Sequence, residues 1–414
     1  MIRNFLKLSL GNASAQGVQW LALIGCIHFY SAANYGYFYA GISAIGMIGI
    51  VASLQMHQVI VVAKDAKEVE SIFRVGIASN LLVMLIAVLV VTLLIWTGHM
   101  DMDPLFQWSL AWIMFIAGLG RIYQGWFVRI GEFGLISRGI LIRAITLSVI
   151  QLLLGWFRFE HGLVMGTLAG ELALVGYLAT RQQSPSVWSI LRLTDVHRMS
   201  KLLRSYNDFA VGGTLSECAS TVAFSLPVVL FGWRFTATES GHFSLSHRLI
   251  WAPIMMLGSA LAQVLYKRLS EPTGSDFYKN KIFKSFGLLI SAAIVASILF
   301  GYTLPMLLKP FMKESWAGAS AYMTPLIGWA AFFLLSTSYR ISYRVLRLQR
   351  MQLAIDTVFL AWIGALFYLI ASHVTGLQFC YILGISGMLH QLSLMAYIRT
   401  RIEQNMICET GAIR

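Results

Sequence analysis

A handful of charged and amide side chains stand inside long apolar stretches, and they are the residues of this chain that could do work. Arg248 lies about six residues into an apolar run at 242–265, about 9 Å from its edge at 1.5 Å per helical residue. A guanidinium there matches phosphate oxygens with two parallel hydrogen bonds, or it snorkels to the nearer surface. Glu217, about seven residues into the run at 210–232, and Glu171, near the middle of the run at 162–180, are carboxylates where burial favours the protonated form. Each is either an ion-coupling group or a structural partner for an arginine. Gln16 and Gln19 share a helical face with Asn12 one turn earlier, and Gln55 and Gln58 are likewise three apart. Such stripes either hydrogen-bond a hydroxylated ligand or hold helices together. Arg340, Arg344 and Arg347 repeat at helical spacing and form a basic face that suits anionic groups or plain membrane topology. Arg121, with Gln124 one turn on, reads as structural, and Asp356 reads as a helix-start carboxylate.

The chemistry these residues allow is binding, proton exchange and charge compensation. Covalent catalysis is not expected: the chain has no GxGxxG, Walker or triad arrangement. Cys26, Cys218, Cys380 and Cys408 are far apart, with neither C-x-x-C nor metal spacing, and read as small buried hydrophobes. No bound cofactor or metal is expected.

The elements that must position these residues follow from composition. Of 414 residues, 57% are hydrophobic and 12% charged, against about 25% charged in soluble domains. These values exclude a soluble enzyme, a disordered chain and a disulfide-stapled module. Runs long enough to cross a bilayer as helices fall at 8–29, 36–58, 75–97, 105–128, 139–157, 162–180, 210–232, 242–265, 282–308, 320–345, 353–373 and 376–398. Unbroken runs such as 81–96 exclude the alternating segments of a β-barrel. The net charge of +13 would suggest nucleic acid in a soluble chain. Here, with the N-terminus placed in the cytoplasm, twenty-six of the 31 Lys and Arg fall in inner segments and four in outer ones, Arg248 lying within a run. That asymmetry orients both termini to the cytoplasm. The outer loops are too short for a catalytic domain.

Gly36-Tyr37-Phe38 recurs as Gly241-His242-Phe243, and Gln58-Val59-Ile60 as Gln263-Val264-Leu265, both 205 residues on. Six crossings per half keep the halves in one orientation, so the expected fold is all-α: twelve transmembrane helices in two six-helix bundles. A parallel pseudo-two-fold along the membrane normal relates the bundles, and they enclose a central cavity suited to alternating access. The expected boundaries are an N-terminal bundle at 1–181, a cytoplasmic linker at 182–209, a C-terminal bundle at 210–398 and a tail at 399–414.

Tyr206-x-x-Phe209, Leu226-Pro227, Gly241-x-Phe243, Arg248, Pro253 and Gln263 form one pattern. Glu314-x-Trp316-Ala317-x-Ala319, Gly11-Asn12 and the Tyr30…Tyr35-Gly36-x-Phe38 stretch extend it over nearly the whole chain. The pattern resembles the Wzx-type polysaccharide flippases of the multidrug/oligosaccharidyl-lipid/polysaccharide (MOP) exporter superfamily. It departs from them at Gln55-Met56-His57-Gln58, where members often carry an aromatic or Arg and a Glu, and at Phe209-Ala210 in place of Phe-Pro. The resemblance implies translocation of undecaprenyl-diphosphate-linked oligosaccharide across a bacterial inner membrane, as in O-antigen and lipopolysaccharide synthesis, with no hydrolysis. As partners it implies the lipid-linked glycan, membrane lipids, and a polysaccharide polymerase with its chain-length regulator, and no nucleic acid. A drug antiporter of the same superfamily and a membrane-embedded glycan polymerase are the alternatives. The first span has no carboxylate and the outer loops hold few arginines, which speaks against each in turn.

Overall fold

The computed structural model describes residues 2–63, 65–99, 101–181, 206, 214–269, 286–308, 310, 313–345 and 348–411. The expected linker at 182–209, Tyr206 excepted, lies outside the described residues, as do the side chains of Gln263, Arg344 and Arg347. Every regular element among the described residues is helical: α1 (Ile2–Phe29), α2 (Ala32–Ser53), α3 (Met56–Val62), α4 (Ala66–Trp96), α5 (Pro104–Arg129), α6 (Phe133–Trp156), α7 (Gly162–Arg181), α8 (Thr214–Arg234), α9 (Ala237–Leu269), α10 (Phe286–Leu308), α11 (Ala319–Val345), α12 (Gln349–Ile370) and α13 (Gly376–Gly411), with a 3-10 turn at Glu314–Trp316. Eight helical stretches among the described residues are long and apolar enough to cross a membrane. Without water, backbone groups must be paired within the segment, and a helix does this alone.

Local signals set the helix starts. Ser31, Asp65 and Asp103 accept hydrogen bonds from the backbone of Asn34, Glu68 and Phe106, and Pro104 occupies the first turn of α5. Thr236 and Glu239 cap each other reciprocally at α9, and Thr375 and Gln378 do the same at α13. α2 and α9 begin 205 residues apart, at the offset of the sequence repeat.

Two differences from the sequence reading bear on the site. The run at 36–58 is not one helix: Leu54 and Gln55 adopt φ of 43° and 56° and separate α2 from α3. The stretch at 399–411, read as a tail, continues α13 as helix, because nothing there breaks the pattern before Gly411.

The chain divides into two compact units, Met1–Val229 and Leu230–Arg414. In the first, α6 packs on α1 and α7, and α5 packs on α2, α3, α4 and α7. The most apolar window of α5 is 61% buried and that of α4 only 11%. α5 is therefore the central post and α4 an outer one, whose exposed Leu82, Leu85, Leu89 and Leu93 belong against acyl chains. A core of Met56, Val59, Ile60, Ile72, Phe73, Ile122, Phe127 and Leu178 ties α3 to α4, α5 and α7. Gly125 lets α5 approach the His57 backbone, where a Cβ would collide with the carbonyl. In the second unit α11 is central, against α9, α10 and α13, with Phe231 and Phe243 stacked at 3.8 Å.

Loops read as lying on one side come together. Asn34, Asp101, Asp103, Glu160 and His161 line one cavity of about 580 Å³ in the first unit. In the second, Glu239 accepts from the Gly376 backbone at 2.9 Å and His242 hydrogen-bonds the Ser315 carbonyl at 3.0 Å.

Candidate functional site

The break at Leu54–Gln55 turns a helix interior into a polar junction. Two consecutive non-glycine residues in the left-handed region are strained, at about 1–3 kcal/mol each, and the surrounding core must hold them there. Gln55 is fully buried. Its amide donates to the Glu217 carboxylate at 2.5 Å, and its oxygen accepts from the Gln58 amide at 2.8 Å. Glu217 lies in the first described turn of α8. Of the residues singled out in the sequence, Gln58 and Glu217 are thus brought into one chain through Gln55.

Beside this chain, α3 and α5 line an open pocket of about 530 Å³ with His57, Gln58, Val61, Arg121, Gln124, Gly125 and Val128. Arg121 donates from Nη2 to the Gly49 carbonyl at 2.7 Å, and Glu217 interacts electrostatically with both Arg121 and His57. Glu171 also interacts electrostatically with Arg121. It is paired with Arg143 at 2.6 Å, with side-chain exposures of 6% and 32%.

On α1, Asn12 and Gln16 are exposed and Gln19 half-buried, whereas Gly11, Ala15 and Ala22 are buried. The helix therefore packs through its small residues, and the amide stripe lies off that face.

In the second unit Arg340 contacts Asp356 at 3.4 Å and lies over the Phe333 ring. Asp356 also receives His390 Nε2 at 2.9 Å, and His390 Nδ1 meets the Gln391 amide at 3.1 Å. These contacts assign His390 as the Nε2–H tautomer. Gln391 Oε1 accepts from Ser336 at 2.6 Å, and Phe359 stacks on His390 at 4.1 Å. Every polar atom in this chain has a use, which is the condition for a stable buried network. Arg248 is half-buried on α9, between buried His247 and Leu249.

The structure thus brings Gln58 and Glu217 to Gln55, Glu171 to Arg143 and Arg340 to Asp356. Sequence reasoning missed His390 and Gln391, and gave Asp356 no role beyond the helix start. A signal was present: an Asp and a His, each alone in an apolar run, need a partner.

No protein-family model matches the chain, and no curated protein matches it by sequence. Solved structures match along its full length. The lipid II flippase MurJ in an inward closed conformation superposes with a TM-score of 0.69 at 11% identity, covering 100% of this chain and 92% of its own. A multidrug resistance MATE family transporter of the MOP superfamily, inward-facing, gives 0.67 at 12% identity over 96% and 98%. A MOP superfamily transporter from Pyrococcus furiosus, described by a binding pocket of reversed polarity, gives 0.55 at 13% identity over 97% and 95%. The chain has the fold of these multi-pass transporters.

Proposed function

We propose that this protein is a flippase that carries undecaprenyl-diphosphate-linked oligosaccharide from the cytoplasmic to the periplasmic leaflet of a bacterial inner membrane by alternating access. The observation that carries the reading is the transporter fold over the whole chain, shared with a flippase of a lipid-linked precursor. Polar groups held within apolar helices support it. The acyl tail of such a substrate can stay in the bilayer. Its sugars and diphosphate need water, hydrogen bonds and positive charge, all scarce in hydrocarbon.

In this reading twelve spans form two bundles, 1–181 and 210–398, related by a parallel pseudo-two-fold, with 182–209 and 399–414 in the cytoplasm. Gln16, Gln19 and Gln58 hydrogen-bond the head group. An amide exposed on a membrane helix is costly against lipid, so the α1 stripe faces a wet passage. Arg248 and Arg340 contact phosphate oxygens, and Glu217 and Glu171 exchange a coupling proton or sodium ion. The polymerase and chain-length regulator of the same pathway receive the product.

The test is a deletion strain lacking one surface glycan. The wild-type gene restores the glycan, and Arg248→Ala leaves protein in the membrane without restoring it. Normal glycan with Arg248→Ala removes the role of that residue, and normal glycan in the deletion strain removes the function. A small-molecule antiporter is the second reading, favoured by the similar match to a multidrug transporter. It expects the deletion strain to become drug-sensitive with its glycan intact.

A further inference from the structure

In the second unit α12 and α13, joined by the short link at 371–375, form a helical hairpin that leaves an open slot of about 800 Å³ between its arms. Met351, Ile355, Val358 and Trp362 line it from α12, and Ile385 and Leu389 from α13. The polar side chains in its wall are already engaged. Trp362 Nε1 donates to Ser386 Oγ at 3.1 Å, Ser393 Oγ donates to the His390 carbonyl at 2.8 Å, and the His390 ring is held by Asp356 and Gln391. A wall of aliphatic carbon and satisfied polar atoms suits a hydrocarbon occupant and offers little to water or sugar.

The length and the mouth of the slot narrow the occupant further. From Met351 to Trp362 it runs about 16 Å at about 1.5 Å per residue, the depth of one leaflet in a hydrocarbon core about 30 Å thick. One end carries positive charge. Arg350 is exposed and immediately precedes Met351. On α13 the helix carries on past Ser393 to Tyr397 and then Arg401, each four residues further. Arg401 is exposed, its Nε donates to the Tyr397 hydroxyl at 3.0 Å, and its guanidinium lies over the Tyr397 ring at 5.4 Å. The Arg401 side chain is thus drawn back along α13 toward the slot, in the direction that helical side chains tilt. Asp356, the carboxylate of α12, is buried against Arg340 and His390. A trough one leaflet deep with an arginine on each arm at its mouth has the build of a lipid site: chain below, phosphate above.

We propose that the α12–α13 slot binds an anionic phospholipid of the surrounding membrane, with one acyl chain between the helices and the headgroup phosphate held by Arg350 and Arg401. The chain leaves other acyl chains to enter the slot, so apolar burial selects nothing and the headgroup charge decides which lipid binds. An undecaprenyl chain is several times longer than the slot, which speaks for a resident phospholipid over the carried lipid. The bound chain has a structural use. His390 lines the slot, and a hydrocarbon lying against it keeps water from the Asp356–His390 contact. The site stands apart from the cargo and holds whichever transport reading is correct.

The experiment places the full-length protein in phosphatidylcholine nanodiscs and titrates in phosphatidylglycerol with brominated chains, which quench nearby tryptophan. Trp362 lines the slot, so the quenching that Trp362→Phe removes reports its occupancy. Brominated phosphatidylcholine is the neutral control. Brominated phosphatidylglycerol should quench Trp362 at about twenty-five-fold lower mole fraction than the control, and Arg350→Gln and Arg401→Gln should each lower that preference about fivefold. Ala354→Phe, which fills the slot and keeps both arginines, should remove the low-fraction phase and leave the quenching by bulk lipid. Should an arginine variant fail to accumulate, raised salt applied to the wild type weakens the same preference. Equal quenching by the two lipids, or a preference that neither the arginine variants nor salt reduce, overturns the proposal. Undecaprenyl phosphate that displaces the brominated lipid at lower mole fraction overturns the assignment to a phospholipid. A low-fraction phase that disappears as the protein dimerises gives the slot to a second copy of the chain and overturns it equally.

Discussion

Removing either partner of the Arg143–Glu171 pair should have unequal consequences. The two groups meet at 2.6 Å with Glu171 almost wholly buried and Arg143 about a third exposed. At an effective dielectric of 20 the gross attraction is about 6 kcal/mol, most of it offset by desolvation of the two ions. Arg143→Ala strands a buried carboxylate, which should cost about 3–5 kcal/mol. Glu171→Ala leaves an arginine that is about a third exposed and can turn further out, so its cost should be about 1–2 kcal/mol after discounting for exposure. The double replacement by leucine fills the space with apolar atoms and should recover most of the loss. Unfolding of the purified protein by heat or by steric trapping would rank the four forms: wild type, double variant, Glu171→Ala and Arg143→Ala in falling order. A Glu171→Ala protein less stable than Arg143→Ala, or a double variant as poor as the sum of the singles, would refute this reasoning. Glycan export by the stable double variant then separates the two readings of Glu171, since a purely structural pair leaves export intact and an ion-coupling carboxylate does not.

At the break between α2 and α3, Leu54→Gly should raise thermal stability or leave it within about 1 kcal/mol, because glycine enters the left-handed region freely. Leu54→Val should lower it by about 1 kcal/mol or more, and equal melting temperatures for the two would remove the strain argument. Asp356→Ala deprives Arg340 and His390 of their shared acceptor and should destabilise by about 3 kcal/mol or more, well beyond His390→Phe. A ranking with His390→Phe worse would show that the ring stack on Phe359 outweighs the ion pair. Outside the membrane helices, burial and then the hydrogen bond to Glu68, 3.0 Å away, raise the Tyr206 phenol above its ordinary value. The stability this bond contributes is complete below about pH 10, the free phenol's value, and fades as pH rises through the higher folded value. Ultraviolet difference titration against Tyr206→Phe should therefore show one late-ionising phenol missing, and a missing phenol that titrates at or below the ordinary value would contradict the contact.

Much of this protein was written locally in its chain. Helix is dictated wherever apolar side chains run long enough that the backbone can be satisfied only within its own segment, which is why the apolar runs of the sequence hold helices. The caps at Ser31, Asp103 and Thr236, which the sequence reading did not name, are also local, since each acts on a backbone three residues away. The break at Leu54–Gln55 was not, because no glycine or proline marks it. Its strain is tolerated through packing of α3 against α4, α5 and α7, which a one-dimensional pattern does not contain. The same holds for chemistry. The types of Glu217, Glu171, Arg121 and Arg340 announced that they needed partners inside a low-dielectric phase. Which partner each took, Gln55 162 residues away for Glu217 or His390 across 34 residues for Asp356, was decided only when helices distant in sequence packed side by side. A buried charge is stabilised by whatever lies within a few ångströms in space, and spacing along the chain carries no record of that distance.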